Sequence, residues 1–475
     1  MQPKKQTKIV ATLGPACSDP ATMAEMIESG VDVFRLNFSH GSHQSHLKLM
    51  KQIKKLRKQQ NRSVAILQDL SGPKIRLGNI QDEPLQVSPR DTLILDASLT
   101  TISHGNRIGV NHPGFAKDVF PGARLLLSDG DLELEVKKIV KSQVFCEVII
   151  GGSLFSHKGV NFPSGTFHVP SITEKDKKDL RFGLKNGVDM VAMSFVREAN
   201  DLKKARLIFK EVGRQVPLIA KIEKHEAIEN LSEIIDAADG IMVARGDLGV
   251  DIEIERVPMI QKNIIQRANG LGKPVITATQ MLRSMVESPM PTRAEVTDVA
   301  NAILDGTDAI MLSEETAVGK YPLKAVKMMS RIATITEENA TYFREPGQLR
   351  DKNSASIPDS ISHSATILAR DLKANIICAI TRTGYTARAI ARFRPKSSIL
   401  ALTPEEDVYY QMALVWGVLP VKYALQQDQN RLFRDAMGIA KRLKITRKGD
   451  HYVFASGFPL GQPGSINQVT AGIVP

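Results

Sequence analysis

Short apolar runs recur along most of this chain, each ending in polar residues and followed by a stretch with helical spacing. They fall at 8–14, 33–38, 64–70, 189–195, 217–223, 240–246, 274–280 and 309–315. Fully apolar runs of this length, separated by helical patterns, read as strands covered on both faces. Cap signals mark the helices between them: Ser18-Asp19-Pro20 opens the first, and Thr173-Glu174 opens the one before the run at 189. Eight alternating strand–helix units predict a (β/α)8 TIM barrel, a fold whose chemistry sits at the carboxyl ends of the strands.

One gap breaks the rhythm. Between Leu70 and Asp189 the pattern changes to short alternating segments, such as LQVSPRDTLIL and ARLLLSDGDLELEV, with turns rich in Gly, Pro, Asn and Asp. This predicts an inserted all-β lid domain, a small β-barrel placed at a catalytic loop. After Asn339 the barrel pattern stops in a polar, breaker-rich linker, and a C-terminal open-sheet α/β domain follows. The expected divisions are 1–72 and 171–345 for the two barrel parts, 73–170 for the lid and 355–475 for the C-terminal α/β regulatory domain.

The stretch Pro217–Glu253 carries the first candidate chemistry. In PLIAKIE, period-two alternation puts Lys221 and Glu223 on one face, and the next strand ends in Arg245-Gly246-Asp247. A βαβ crossover makes the two strands parallel, and neighbouring strands lie roughly 5 Å apart. Glu223 and Asp247 therefore reach one common point, and two carboxylates with open positions suit Mg²⁺. Taken alone, a Lys and a Glu two apart also read as a solvated ion pair. Other strand ends add polar groups at the same mouth: Arg35, Asn37 and Ser39, Asp69 with Arg76 across a Gly-Pro joint, Thr277 with Thr279, and Ser313 with Glu315. A metal site among fixed cations, with few apolar groups, is what phosphoryl transfer needs.

Composition narrows the class. No apolar run approaches the roughly 18 residues of a membrane span, and the start lacks a signal-peptide pattern, so a cytoplasmic protein without membrane partner is expected. The three cysteines, Cys17, Cys146 and Cys378, are far apart and read as reduced and structural. Lys and Arg number 63 against 51 Asp and Glu, a net charge of +12. The dense basic run Lys48–Arg62 keeps helical spacing and reads as a solvated helix face, and aromatics are not interleaved with it, so no nucleic-acid partner is expected. There is neither a GxxxxGK[ST] loop nor a protein-kinase Gly-rich loop, so another phosphoryl-transfer scaffold is required.

The segments ATLGPACSD, VFRLNFSHG, QDLSGPKIR, LSDGDLEL, KGVNFPSG, MSFVRE, AKIEKHEAIEN, IMVARGDLGV, TATQMLRSM and MLSEETAVGKYP resemble the pyruvate kinase family closely across residues 7–340. The resemblance implies transfer of the phosphoryl group of phosphoenolpyruvate to ADP, giving pyruvate and ATP. It implies Glu223 and Asp247 as ligands of Mg²⁺, for which Mn²⁺ substitutes, and Lys221 and Arg35 against the transferring phosphoryl group. Backbone at Ala244, Arg245, Gly246 and Asp247 and the Thr279 hydroxyl would hold the substrate carboxylate, with Thr279 also protonating the enolate carbon through water. Pro15, Asn37, Arg76 and Lys158 would line the nucleotide side, and Asp129 in the lid would close over it.

Many members bind K⁺ at the positions of Asn37, Ser39, Asp69 and Leu70 and carry Glu after the Gly-Pro. Here that residue is Lys74, which resembles the potassium-independent subgroup: either its ammonium stands in for K⁺, making K⁺ dispensable, or it is an exposed Lys on the lid joint. The turn Thr381-Arg382-Thr383-Gly384-Tyr385-Thr386 falls at the family's effector site, with 458–467 as a covering loop. It reads either as a pocket for a phosphorylated allosteric effector or as an ordinary capped turn. The family also implies a homotetramer. Two other readings remain open: a Mg²⁺-dependent lyase or aldolase on the same barrel, and a nucleic-acid binder.

Overall fold

The computed structural model describes residues 5–163, 165–340, 356–424, 428–457 and 466–475. Eight parallel strands close into a barrel: β1 (Lys8–Thr12), β2 (Val33–Asn37), β3 (Ala65–Asp69), β4 (Met190–Met193), β5 (Leu218–Ile222), β6 (Gly240–Ala244), β7 (Val275–Ala278) and β8 (Ala309–Leu312). Each pairs with the next in sequence, and β8 returns to β1 with Lys8 opposite Ala309. All eight predicted runs are barrel strands. Alternation within them splits the core in two. Val10, Val33, Leu67, Ala192, Ile219 and Met242 fill the barrel interior, whereas Ile9, Phe34, Ile66, Val191, Ala220 and Ile241 face the surrounding helices. The predicted caps form: Asp19 accepts from the Thr22 N–H ahead of Pro20, and Thr173 makes a reciprocal capping box with Asp176.

The lid lies between β3 and β4. Its six-stranded sheet runs Val160–Asn161, Arg124–Leu127, Leu132–Val140, Gln143–Ile150, Thr92–Asp96, Arg107–Gly109, beside a two-stranded sheet of Leu85–Val87 and Gly152–Leu154. It has its own core, around Leu95, Phe115, Leu125 and Val144. Against an all-β expectation it contains a short helix, Phe115–Asp118; two of its strands, Thr92–Asp96 and Arg107–Gly109, pair in parallel.

The C-terminal sheet is ordered β11-β10-β9-β12-β13, from β9 (Ile376–Ile380), β10 (Ser398–Thr403), β11 (Val418–Lys422), β12 (His451–Gly457) and β13 (Ile466–Ile473). Two of these escaped the sequence pattern. β11 contains Pro420, tolerated because the strand is at an edge, and β13 is polar and runs antiparallel to β12. The domain packs under the barrel floor, where Ala413 and Leu414 join the interior cluster. Residues 341–355 of the predicted linker and 458–465 of the predicted covering loop lie outside the described residues, and the last residues of that linker instead open helix Ile357–Asp371, with Ser356 as its cap. No described helix is long and apolar enough to cross a membrane.

The basic run forms helix His43–Gln59, with Met50, Ile53 and Leu56 buried. One cation departs from the expected solvated face: Arg57 is buried, pairs with Asp189 at 2.6 Å and lies 3.3 Å from the Tyr410 ring centroid. The three cysteines are free and buried, and burial pushes the Cys17 thiol up to about 11 and Cys146 up to about 12.

Candidate active site

The parity that fills the barrel interior decides what stands at its mouth. Continuing the inward face past Val10, Val33, Leu67, Ala192 and Ile219 leads to Thr12, Arg35, Asp69, Ser194, Lys221 and Glu223. All six interlock. Lys221 Nζ lies 2.9 Å from Glu223 Oε1 and 3.2 Å from Asp69 Oδ1, and donates to Ser194 Oγ at 2.6 Å. Arg35 holds the other Asp69 oxygen at 2.6 Å and donates to Thr12 Oγ1 at 3.0 Å. Glu223 Oε2 accepts the Phe195 N–H at 2.7 Å.

Burial sets the charge states. Lys221 and Arg35 are 8% and 9% exposed, and Asp69 and Glu223 each 1%, so every unpaired charge here is costly. Burial alone pushes the Lys221 pKa down, but the charges of Asp69 and Glu223 outweigh it and hold the ammonium above the ordinary lysine value. Burial likewise raises Asp69, and Lys221 with Arg35 overcomes that, so its carboxylate stays below its usual range. Glu223 goes the other way: burial raises it, and the Asp247 charge adds to the rise while Lys221 opposes it. A buried carboxyl held up by a neighbouring carboxylate is poised to receive a divalent cation, since a cation relieves both causes.

Asp247 stands on helix Arg245–Asp251, after β6, and its Oδ1 lies 3.3 Å from Lys74 Nζ. The Arg245 guanidinium turns away from the mouth, pairing with Asp298 at 2.6 Å and donating to the Thr279 carbonyl at 2.8 Å. What Arg245 and its neighbours present here is backbone. The Gly246 N–H donates to Thr279 Oγ1 at 2.7 Å, and the hydroxyl donates to the Ala278 carbonyl at 2.6 Å. Thr279, Gln280 and Phe195 take φ of +69°, +55° and +55°, a region that residues bearing a Cβ adopt only when their surroundings impose it.

Not every predicted mouth residue arrives there. Thr277 faces outward from the barrel interior, fully buried, and bonds Thr307 Oγ1 at 3.0 Å. Glu315 is buried as a backbone clamp for the N–H groups of Ser313 and Leu282. On the nucleotide side, Asn37 Oδ1 accepts the Ser39 N–H at 3.1 Å, Leu70 is buried, and Pro15, Ser39 and Lys158 are exposed. Arg76 donates to the His157 carbonyl at 3.0 Å, and Lys158 lies 5.9 Å from the Phe155 ring. The turn Ser128–Gly130 packs on helix Arg245–Asp251, while the Asp129 side chain lies outside what is described. Thr12 and Ser194 went unnoticed in the sequence, although the same parity identifies both.

The described residues contain one other grouping of metal-ligand type, His225, Glu226 and Asp251. Asp251 is already held there by Lys224 Nζ at 2.6 Å and by the His225 N–H at 2.7 Å. In the C-terminal domain, the Thr381–Thr386 turn divides. Thr381 and Thr386 are buried, Arg382 pairs with Glu405 at 2.7 Å, and Gly384, at φ +76°, starts helix Tyr385–Ala391. Thr383 and Tyr385 face the barrel floor across a cavity.

Residues 4–326 match the family described as "Pyruvate kinase, barrel domain", and residues 359–470 match "Pyruvate kinase, alpha/beta domain". The chain is 45% identical to Pyruvate kinase 2 of Synechocystis sp. over 478 residues, covering 99% of this chain and 79% of that one. It is 41% identical to a pyruvate kinase of Clostridium perfringens over 468 residues, covering 98% and 99% of the two chains. A solved structure of a pyruvate kinase from Cryptosporidium parvum aligns with a TM-score of 0.94 at 34% identity, covering 99% of this chain and 96% of that one.

Proposed function

This chain belongs to the pyruvate kinase family, and from that premise we propose how its own side chains divide the work. The enzyme transfers the phosphoryl group of phosphoenolpyruvate to ADP, giving pyruvate and ATP in the last step of glycolysis. One observation carries the assignment of roles: a buried ammonium, Lys221, locked between Asp69, Glu223 and Ser194 at the strand ends.

Lys221 and Arg35 present fixed positive charge to the phosphoryl oxygens and to the enolate oxygen as negative charge develops there. Asp69 is buried behind both and keeps them from swinging into solvent. Pre-set charges of this kind need no reorganisation during the reaction and contribute about 3–4 kcal/mol each. Pyruvate kinases generally use Mg²⁺ and often K⁺. The two hard carboxylates fit Mg²⁺ or Mn²⁺, with Glu223 raised by burial and Asp247 beside it, and the remaining positions are left to substrate oxygens. When bound, the ion supplies a divalent charge that neutralises substrate oxygens. The Ala244–Asp247 backbone and the Thr279 hydroxyl hold the substrate carboxylate, and Thr279 hands a proton, through water, to the enolate carbon. Pro15, Asn37, Arg76, Lys158 and the lid's Asp129 bound the nucleotide.

Lys74 acts as a tethered cation at the mouth, with Asn37, Ser39, Asp69 and Leu70 as the monovalent-cation pocket it makes dispensable; its pairing with Asp247 supports this reading. The test is pyruvate formation from phosphoenolpyruvate and ADP with Mg²⁺, with and without KCl. The expected result is turnover without K⁺ that Lys221→Met abolishes and that becomes K⁺-stimulated in Lys74→Met. Stimulation of the wild type many-fold by K⁺ would discard the tethered cation, and full activity in Lys221→Met would discard the division of roles.

The Thr381–Thr386 turn binds a phosphorylated effector, and the working enzyme is a cytoplasmic homotetramer. Large apolar side chains exposed on the outer helices, including Leu207, Met259 and Ile335, support the second statement.

A further inference from the structure

The chain enters the lid from β3 and leaves it toward β4, and the two joints are built differently. At the outgoing joint, Gly72-Pro73, the Gly72 N–H reaches Asp176 at 3.1 Å. The returning joint, 166–169, is gripped from both sides. On the barrel side, the Arg197 guanidinium donates to the Phe167 carbonyl at 3.1 Å and to the Val169 carbonyl at 2.8 Å, and Thr166 Oγ1 donates to Glu226 Oε1 at 2.6 Å. On the lid side, Asp118 accepts the His168 N–H at 2.9 Å and lies 2.8 Å from its ring Nδ1. The Phe167 ring belongs to the lid core, with its centroid 5.7 Å from that of Phe115. Phe167 is thus a lid residue whose carbonyl is held by a barrel cation.

Packing does not account for this attachment. A cavity of about 40 Å³ lies in the seam between lid and barrel, lined by Pro73, Thr166, Phe195, Arg197 and Glu226 among others. A void forfeits dispersion contact, so directed hydrogen bonds hold the joint. Two carbonyls two residues apart fix the direction of the strand as well as its place, where a single contact would leave it free to turn. Arg197 is itself fixed, its N–H by Asp201 at 3.0 Å and its carbonyl by Asn230 at 2.9 Å. It also ends the loop after β4 in which Ser194 accepts from Lys221 and Phe195 gives its N–H to Glu223. Residues 194–197 therefore hold the ammonium, the candidate metal carboxylate and the base of the lid together. We propose that Arg197 is a positioning residue for the nucleotide: it sets the angle at which the lid leaves the barrel, and with it how Arg76 and Lys158 stand over the phosphoryl site. This rests on the reading above in which the lid bounds the nucleotide. Arg197 acts through the lid rather than on a reactant.

Without the grip the lid takes up other angles, and the apparent affinity for ADP falls with the fraction of lids left at the competent one. In Arg197→Met of the full chain, KM for ADP should rise about tenfold or more, the loss expected for charge-assisted hydrogen bonds. KM for phosphoenolpyruvate, whose proposed contacts all come from the barrel, should change far less. Arg197→Lys, able to reach one carbonyl, should fall between. Thr166→Val removes one bond from the lid side at nearly constant volume and should show the same split, smaller, if the Arg197 variants do not fold. Hydrogen exchange in the lid strand Leu132–Val140 should stay as in the wild type. An unchanged KM for ADP, equal rises in both KM values, or faster exchange in that strand would overturn the proposal, the last two by reducing Arg197 to support of the fold. Arg76→Ala separates this idea from the one beneath it. A rise in KM for ADP there, with none in Arg197→Met, would overturn the role of Arg197 alone, whereas no rise in either would overturn the nucleotide assignment with it.

Discussion

Lys221 works because it cannot move. Its three partners, Asp69, Glu223 and Ser194, come from three strands, so its position is fixed by the barrel rather than by its own rotamers. Ser194 is the neutral member, and it accepts a hydrogen bond from the ammonium. In Ser194→Ala a charge-assisted hydrogen bond worth about 1.5–3 kcal/mol is lost, and kcat should fall roughly 10- to 100-fold, with KM for phosphoenolpyruvate changing far less. An equal rise in KM with unchanged kcat would show instead that Ser194 serves binding. Steady-state kinetics decide between them. At this scale the sequence was legible wherever parity and charge coincide, as at Arg35, Asp69, Lys221 and Glu223. Thr12 and Ser194 share that parity but carry no charge, and a hydroxyl at a strand end is unremarkable until its neighbours are known. Thr277 failed for a related reason: Thr279 has left the strand at positive φ, so spacing across it no longer reports a face.

Among elements, the barrel strands could be read because both faces are covered and the runs are uniformly apolar. The C-terminal strands β11 and β13 could not, one interrupted by Pro420 and the other half polar, because an edge strand is under weaker demand for burial. The joint between β3 and the lid shows how an element boundary serves the site. Gly72 adopts φ +68°, its N–H is held by Asp176 at 3.1 Å, and a Cβ there would meet the Phe195 ring at 2.6 Å. Phe195 in turn gives its N–H to Glu223. Gly72→Ala should therefore cost about 1–2 kcal/mol for the backbone alone, and more for displacing Phe195. A lowered thermal midpoint together with a raised Mg²⁺ requirement is the expected pair of results. A lowered midpoint with an unchanged Mg²⁺ titration would confine Gly72 to the joint itself.

At the scale of the whole molecule, one buried arginine joins the C-terminal domain to the barrel. Arg394 is 1% exposed and reaches Asp308 at the foot of β8 with 3.2 and 3.0 Å contacts, the Gly306 carbonyl at 2.6 Å and Asn269 at 3.1 Å. Asp308 also accepts the N–H groups of Val275 and Trp416, so one carboxylate ties β7, β8 and the C-terminal domain. Removing one partner leaves the other charge buried: Arg394→Met should destabilise by about 3–5 kcal/mol. Adding Asp308→Asn should cost much less than a second such loss, and additive losses in denaturant titrations would show the two act independently. None of this was legible in the sequence, because nothing at Arg394 or Asp308 hints at contact between segments so far apart along the chain.

The closure of β1 on β8 has a consequence in time. Lys8 emerges from the ribosome long before its partner Ala309. At ~5–20 residues per second, the ~300 residues between them take roughly 15 to 60 s to make. Throughout that interval β1 is an apolar strand with an open edge. The lid, with a core of its own between β3 and β4, is complete before β4 exists and can fold meanwhile. The newborn chain is thus a folded lid tethered to an unfinished sheet, and its need for chaperones is concentrated in the strands that await closure.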